Sequence, residues 1–250
     1  MKKRVAVVGA MGRTGKHVVE ALRMHESAAL HAAVVSERSV QLGLGVDDTD
    51  ATYSDDLGAI AGADVVIEFT KPDVSMEVAR RCAEHGIPVV VATTGHTTDQ
   101  VRELEMLSDR IPLARVSNTS LGATALGLLA KQAQQLLGPS FDIEVLEIHH
   151  SRKKDAPSGT ARTLAEGLVG PDMIVAGREQ LRQADEVGIA SLRGGDVAGD
   201  HTVYFLGAGE RIEMTHRVSS RQIFGTGAVA MGIRLSERPN GMYVAKDLIA

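Results

Sequence analysis

The stretch Val5-Ala-Val-Val-Gly9-Ala-Met-Gly12-Arg-Thr-Gly15 decides how the first half of the chain is read. Val5–Val8 is a short, uncharged apolar run, the mark of a strand buried on both faces. Glycines follow at once. Gly9 permits a tight turn, and Gly12 lets backbone N–H groups approach a pyrophosphate at the positive end of a helix predicted over Gly12–Met24. The spacing is G-x-x-G-x-x-G rather than G-x-G-x-x-G, so the turn draws its weight from its place on the first strand–helix junction. Glycines that serve only close helix–strand packing are the competing reading.

Beyond this stretch, short β-branched runs alternate with helical patterns, which predicts a parallel sheet covered by helices. The strands fall at Leu30–Val35, Asp64–Phe69, Ile87–Val91 and Ile111–Val116, with helices over Pro72–His85 and Thr98–Leu107. Pro72 suits a first helical turn, where its missing N–H is harmless. Ser36–Thr52, with Asp47, Asp48 and Asp50, reads as a solvated loop. Cofactor choice belongs to the end of the second strand, Val34-Val-Ser36-Glu37-Arg38. Glu37 suits a ribose diol and NAD, Arg38 suits the 2′-phosphate of NADP, and a solvated pair is the bland alternative.

From Leu121 the texture changes to a helix over Thr124–Leu137, a half-exposed strand over Phe141–His149 and a helix over Thr160–Leu168. An antiparallel pair, Thr202–Leu206 and Arg211–Val218, is joined through Gly207 and Gly209. The tail from Ile223 returns to helix and then strand, Met242–Ala245, and is free to pack back on the first domain. The expected fold is α/β: a Rossmann-type parallel-sheet dinucleotide-binding domain (residues 1–120 with 221–250) and a second α+β domain (121–220) carrying an open mixed sheet.

Composition narrows the function classes. The 250 residues are 44% hydrophobic and 24% charged, ordinary for a globular protein, and without Trp the core must be aliphatic. A formal charge of −5 argues against nucleic acid as the main partner. Cys82 is the only cysteine, which points to a reducing, cytoplasmic setting, and it reads as core or near-surface filler in a helix. Met1-Lys2-Lys3-Arg4 leads into a strand, not a signal peptide, and no apolar run approaches the length of a bilayer.

The second informative stretch is Glu147-Ile-His149-His150-Ser-Arg152-Lys153-Lys154-Asp155-Ala-Pro157-Ser158-Gly159-Thr160-Ala161. Between His149 and Arg162 four cations face the single Asp155, in a chain of negative net charge. Pro157 and Ser158 set up a helix start where Gly159 and Thr160 offer backbone N–H groups, a site for carboxylate or phosphate. Each residue alone has a structural reading; the combination favours a site. Metal binding is a poor competitor, because adjacent histidines point to opposite sides of a strand.

His149–Ala161 resembles the H-H-x-x-K-x-D-A-P-S-G-T-A signature of dihydrodipicolinate reductases. Supporting blocks are Gly9-Ala-Met-Gly-Arg-Thr14, Phe69-Thr-Lys-Pro72, Thr93-Thr-Gly95, Arg193–His201, Gly209–His216 and Ser219-Ser-Arg-Gln-Ile-Phe224, so nearly the whole chain is covered. The resemblance implies a reductase of a small cyclic dicarboxylate using NADH or NADPH, and a homotetramer built through the open sheet of the second domain. It makes His149 and Lys153 catalytic, and places substrate carboxylates at His150, Gly159 and Thr160. Cofactor contacts are implied at Gly9, Ala10, Met11, Gly12, Arg13, Thr14, Ser36, Glu37 and Arg38. They continue at Ala92, Thr93, Thr94, Ser117, Asn118, Thr119, Ser120, Arg221 and Phe224. The chain departs from the family at Thr14, Ala92, Thr119 and Thr124, and Ser36 falls near the family's usual arginine for the NADP phosphate. Two rivals share the Gly9 turn: another two-domain dehydrogenase, which would not need the His149–Thr160 segment, and a non-catalytic NAD(P) sensor.

Overall fold

The computed structural model describes residues 1–23 and 25–249. The chain divides into two compact units, Met1–Leu121 with Arg221–Ala250, and Gly122–Ser220.

In the first unit the chain runs β1 (Lys3–Val8), α1 (Gly15–Arg23), β2 (Ala28–Val34), β3 (Tyr53–Ser54), β4 (Val65–Glu68), α2 (Pro72–His85), β5 (Val89–Val91), α3 (Thr98–Ser108) and β6 (Pro112–Arg115). After the second unit it adds α6 (Gln222–Leu235) and β12 (Gly241–Tyr243). The sheet order is β12-β6-β5-β4-β1-β2-β3, every pair parallel. The chain moves outward from β1 to β3 and then crosses back to lay β4 on the other side of β1. That reversal is a topological switch point, where open α/β sheets bind ligands beyond the carboxyl ends of their strands.

Alternate residues of each strand feed two aliphatic layers. Val5, Val7, Val65 and Ile67 pack with α1 and α6. Ala6, Val8, Val66, Val89 and Val91 pack with α2 and α3. Both faces are covered, which is why these strands read as unbroken apolar runs. Pro72 opens α2, Gly86 closes it at φ 66, and Thr97 with Gln100 forms a capping box on α3.

Two expectations need correction, and one short strand is new. The first helix starts at Gly15, not Gly12, because Gly12-Arg13-Thr14 belongs to the turn; Met24 lies outside the described residues. The Ser36–Thr52 loop is not wholly solvated. Val46 and Ala51 are buried in the core, Gly45 bridges Thr52, and Arg23 pairs with Asp48, although the acidic side chains do face water. The two-residue β3 was too short to carry a pattern.

The second unit contains α4 (Leu121–Leu137, from Gly122 onward), β7 (Asp142–His149), α5 (Gly159–Glu166), β8 (Ile174–Ala176), β9 (Val187–Arg193), β10 (Asp200–Gly207) and β11 (Glu210–Arg217). Its sheet is mixed, in the order β11-β10-β7-β9-β8. β10 runs antiparallel to β11 and β7, while β7, β9 and β8 are parallel. One face packs on α4 and α5 through Leu126, Ala130, Val145, Leu164, Ile189, Val203 and Phe205. On the other face Leu192 is 51% and Leu206 37% exposed. β8 and β9 are additions to the predicted element list.

Candidate active site

The turn after β1 is fixed by close backbone approach. Gly9 has φ +81, and a Cβ there would overlap the Phe69 carbonyl oxygen, so no other residue fits. A Cβ on Gly15 would overlap the Gly9 carbonyl, so Gly15 does serve packing. The Gly9 and Ala10 amides donate to Val34 O (2.9 and 3.0 Å) and the Gly12 amide to Gly9 O (2.8 Å). Gly12 therefore shapes the turn rather than offering its N–H. The amides of Met11, Arg13 and Thr14 have no partner among the described residues, and the first turn of α1 carries no acidic residue. Undonated amides at a helix N-terminus without local negative charge fit a pyrophosphate.

The other expected cofactor residues also follow carboxyl ends of this sheet. Ser36, Glu37 and Arg38 are exposed just beyond β2, with Glu37 and Arg38 3.8 Å apart. Beyond β5, Ala92 and Thr93 are buried and Thr94 is exposed. Beyond β6, Ser117 is exposed and Asn118 accepts from the Ser120 amide (2.8 Å). Thr119 is buried with its hydroxyl donating to Phe224 O (2.8 Å), so its side chain ties the loop to α6. Arg221 stands at the N-cap position of α6.

In the second unit, the alternation of β7 turns Ile143, Val145, Glu147 and His149 toward the helices. Glu147 is fully buried and accepts both terminal nitrogens of Arg193 (2.8 and 2.7 Å), the Ser158 amide (3.1 Å) and His149 Nδ1. Arg193 lies opposite His149 in the β7–β9 register and also donates to Asp155 O (2.6 Å). Ser158 caps α5 by accepting from the Ala161 amide (3.2 Å), and its hydroxyl meets His201 Nε2 at 3.1 Å. The His149 and His201 rings meet edge to face with centroids 5.2 Å apart.

Charge follows from this packing. Burial pushes the Glu147 carboxyl up, but Arg193, Ser191 and His149 outweigh it and hold its pKa at about 2. Glu147 is thus an anion that only accepts, so the His149 proton it faces sits on Nδ1 and Nε2 is the atom left for chemistry. Burial lowers the His149 pKa, with Glu147 opposing and Lys153 and Arg193 assisting. Burial and the charge of His149 lower His201 to about 4.

Lys153 does not wait unpaired for a ligand; its ammonium holds both Asp155 oxygens at 2.9 and 2.8 Å. Gly159 and Thr160 are the first two residues of α5, and the space over Gly159 is open. The His150 amide donates to Val197 O (2.8 Å), which folds the Gly195–Val197 loop against the strand end. The structure thus gathers His149, Lys153, Gly159 and Thr160 around one strand end and one helix start. It adds Glu147, Arg193, Ser158 and His201, which were not among the expected site residues. Glu147 carried a signal: two residues before His149, it shares that strand face.

Two family models cover the chain, "Dihydrodipicolinate reductase, N-terminus" over residues 3–119 and "Dihydrodipicolinate reductase, C-terminus" over residues 122–249. A 4-hydroxy-tetrahydrodipicolinate reductase from Anaeromyxobacter sp. (strain Fw109-5) is 40% identical over 261 residues, covering 98% of this chain and 97% of that protein. One from Akkermansia muciniphila is also 40% identical, over 254 residues, with 98% and 97% covered. Among solved structures, the dipicolinate-bound dihydrodipicolinate reductase from Paenisporosarcina sp. TG-14 shares the fold with a TM-score of 0.82 at 22% identity, over 98% of both chains. A probable dehydrogenase from Thermotoga maritima reaches 0.67 at 12% identity, over 98% of this chain and 92% of that one.

Proposed function

The chain belongs to the dihydrodipicolinate reductase family, and on that premise we propose how its residues divide the work. It is an NAD(P)H-dependent oxidoreductase that reduces 4-hydroxy-tetrahydrodipicolinate, a cyclic dicarboxylate, to tetrahydrodipicolinate in diaminopimelate and lysine biosynthesis. Bound NADH or NADPH supplies the hydride. The first unit holds the dinucleotide: Gly9–Thr14 takes the pyrophosphate, Ser36–Arg38 the adenosine ribose, and Ala92–Thr94 with Ser117–Ser120 the nicotinamide half.

The second unit holds the substrate. The α5 start at Gly159 and Thr160, with His150 and Lys153, receives the two carboxylates, and Lys153 exchanges Asp155 for one of them. Held there, the ring is oriented for hydride attack. Loss of the 4-hydroxyl as water leaves a C=C–C=N system in the ring; the hydride goes to its far carbon, and His149, fixed through Nδ1, gives the proton from Nε2 to the neighbouring ring atom that gains it. The observation that carries this reading is the buried anion Glu147 holding His149 beside a basic segment and a helix N-terminus. A non-catalytic sensor has no use for a histidine so held.

The exposed Leu192 and Leu206, beside Leu146, Ile148 and Tyr204, support assembly through the open face as a homotetramer. No helix of the described residues is long and apolar enough to cross a membrane, which suits a cytoplasmic enzyme, and the charge of −5 suits one without a nucleic-acid partner. The test is oxidation of NADH and of NADPH with freshly made condensation product of pyruvate and aspartate semialdehyde. Turnover with neither nucleotide would sink the assignment.

A further inference from the structure

Glu68, the last residue of β4, is a carboxylate with no exposed surface and, among the described residues, no Lys or Arg ion pair. An unpaired buried anion is costly unless neutral donors satisfy it fully. Here they do. One oxygen accepts from the Ser75 hydroxyl (2.7 Å) and the Thr93 amide (3.3 Å). The other accepts from the Thr70 amide (3.1 Å), the Thr70 hydroxyl (2.7 Å) and the Thr93 hydroxyl (2.7 Å). The circuit closes on itself, since the Thr70 amide also reaches the Thr93 hydroxyl oxygen (2.8 Å) and His96 Nε2 meets the Ser75 hydroxyl at 3.1 Å.

These donors come from separate segments: the turn after β4, the first turn of α2, and the loop after β5. A glutamine of the same shape would turn an NH2 group toward donors that need an acceptor. Packing alone does not call for this arrangement, because apolar side chains fill the rest of that layer. What the carboxylate fixes is the path of Thr93-Thr94-Gly95 at the carboxyl end of the sheet. A dinucleotide across the switch point sets its adenosine ribose over β2, so its nicotinamide half lies on the β4–β5 side.

We propose that Glu68 is a positioning residue for the reductase reaction, holding the Thr93–Gly95 turn in the one conformation that seats the nicotinamide end of NADH or NADPH. The inference rests on reading the first unit as the dinucleotide site.

The test compares the parent with Glu68→Gln, Thr93→Val and Thr93→Ser in the full-length chain, measuring NADH binding by fluorescence titration, dipicolinate binding by calorimetry, and steady-state kinetics. Glu68→Gln should lower kcat/KM for NADH by about 10- to 100-fold, as misplacement of a reacting group does. Its dipicolinate affinity should stay within about twofold, since that ligand answers to the second unit. Thr93→Val should behave like Glu68→Gln, and Thr93→Ser, which keeps the hydroxyl, should restore most of the loss. If Glu68→Gln fails to fold, the Val and Ser pair decides the matter alone. Unchanged NADH affinity and kcat/KM in Glu68→Gln, or in Thr93→Val where the former does not fold, would overturn the inference. A parent that binds neither nucleotide would overturn the reading of the first unit and the inference with it.

Discussion

His149 donates from Nδ1 to Glu147, two residues earlier on the same strand face, while Arg193 clamps that carboxylate from the neighbouring strand. The anion sets both the tautomer and the ring orientation of the histidine. Its influence on the proton is also directional: Glu147 raises the His149 pKa against the burial that lowers it.

This predicts a shift in the pH profile. A general acid must be protonated, so kcat/KM falls as pH rises through the His149 pKa of the free enzyme, which lies below its ordinary 6.5. Glu147→Gln removes the raising influence and leaves Arg193 unneutralised nearby. The falling limb should move to still lower pH. A limb that stays in place or moves up would separate Glu147 from the proton of His149.

Lys153 and Asp155 give a second prediction. Their ion pair is partly exposed, the lysine side chain 21% and the aspartate 61%, so solvent screens it. Exposed pairs are worth about 0.2–1 kcal/mol, and Asp155→Asn should therefore tighten binding of the cyclic dicarboxylate substrate by up to about fivefold. Lys153→Ala should weaken binding and slow turnover together. Weaker binding in Asp155→Asn would show that Asp155 orients the lysine instead of competing with the ligand.

Stability should depend on pH through His201. Its folded pKa of about 4 lies below its ordinary 6.5, so between these values the unfolded chain takes a proton that the folded chain refuses. Stability is complete above 6.5 and falls as pH drops to about 4, where the loss ends. It amounts to on the order of 3 kcal/mol. Glu147 adds a separate loss from its ordinary 4.5 down to about 2. Urea unfolding at pH 7 and pH 4.5 should show a smaller difference for His201→Gln than for the parent. Equal differences would contradict the assignment.

The first unit was legible because strands covered on both faces must be apolar throughout, and Pro72 and Gly86 punctuate α2. β9 was not, because Gly188 and Ala190 give its open face no β-branched signal, and a Cβ on Gly188 would strike the Glu144 carboxylate. His149 and Lys153 were legible as neighbours in one segment. Arg193 and His201 join that site only through strand pairing, which no local pattern encodes. Glu68 likewise became a functional candidate only when three separate segments converged on it.

Cofactor choice yields a further prediction. Glu37 and Arg38 lie 3.8 Å apart with side chains 77% and 90% exposed, so neither is committed to the ribose. Both nucleotides should be used with a preference under about tenfold, or about 1.4 kcal/mol. Arg38→Ala should weaken NADPH more than NADH, and Glu37→Ala the reverse. A strong NADH preference unaltered by Arg38→Ala would leave Arg38 as solvated loop.

As the proposed acid, His149 gives the proton that accompanies hydride transfer. The measurement that tests it most directly is single-turnover oxidation of NADH by the parent and by His149→Gln, with the substrate generated in place. The variant should lose roughly 10²- to 10⁴-fold, the range for removing a general acid, with NADH affinity nearly unchanged. A His149→Gln enzyme that turns over within a few-fold of the parent would contradict it.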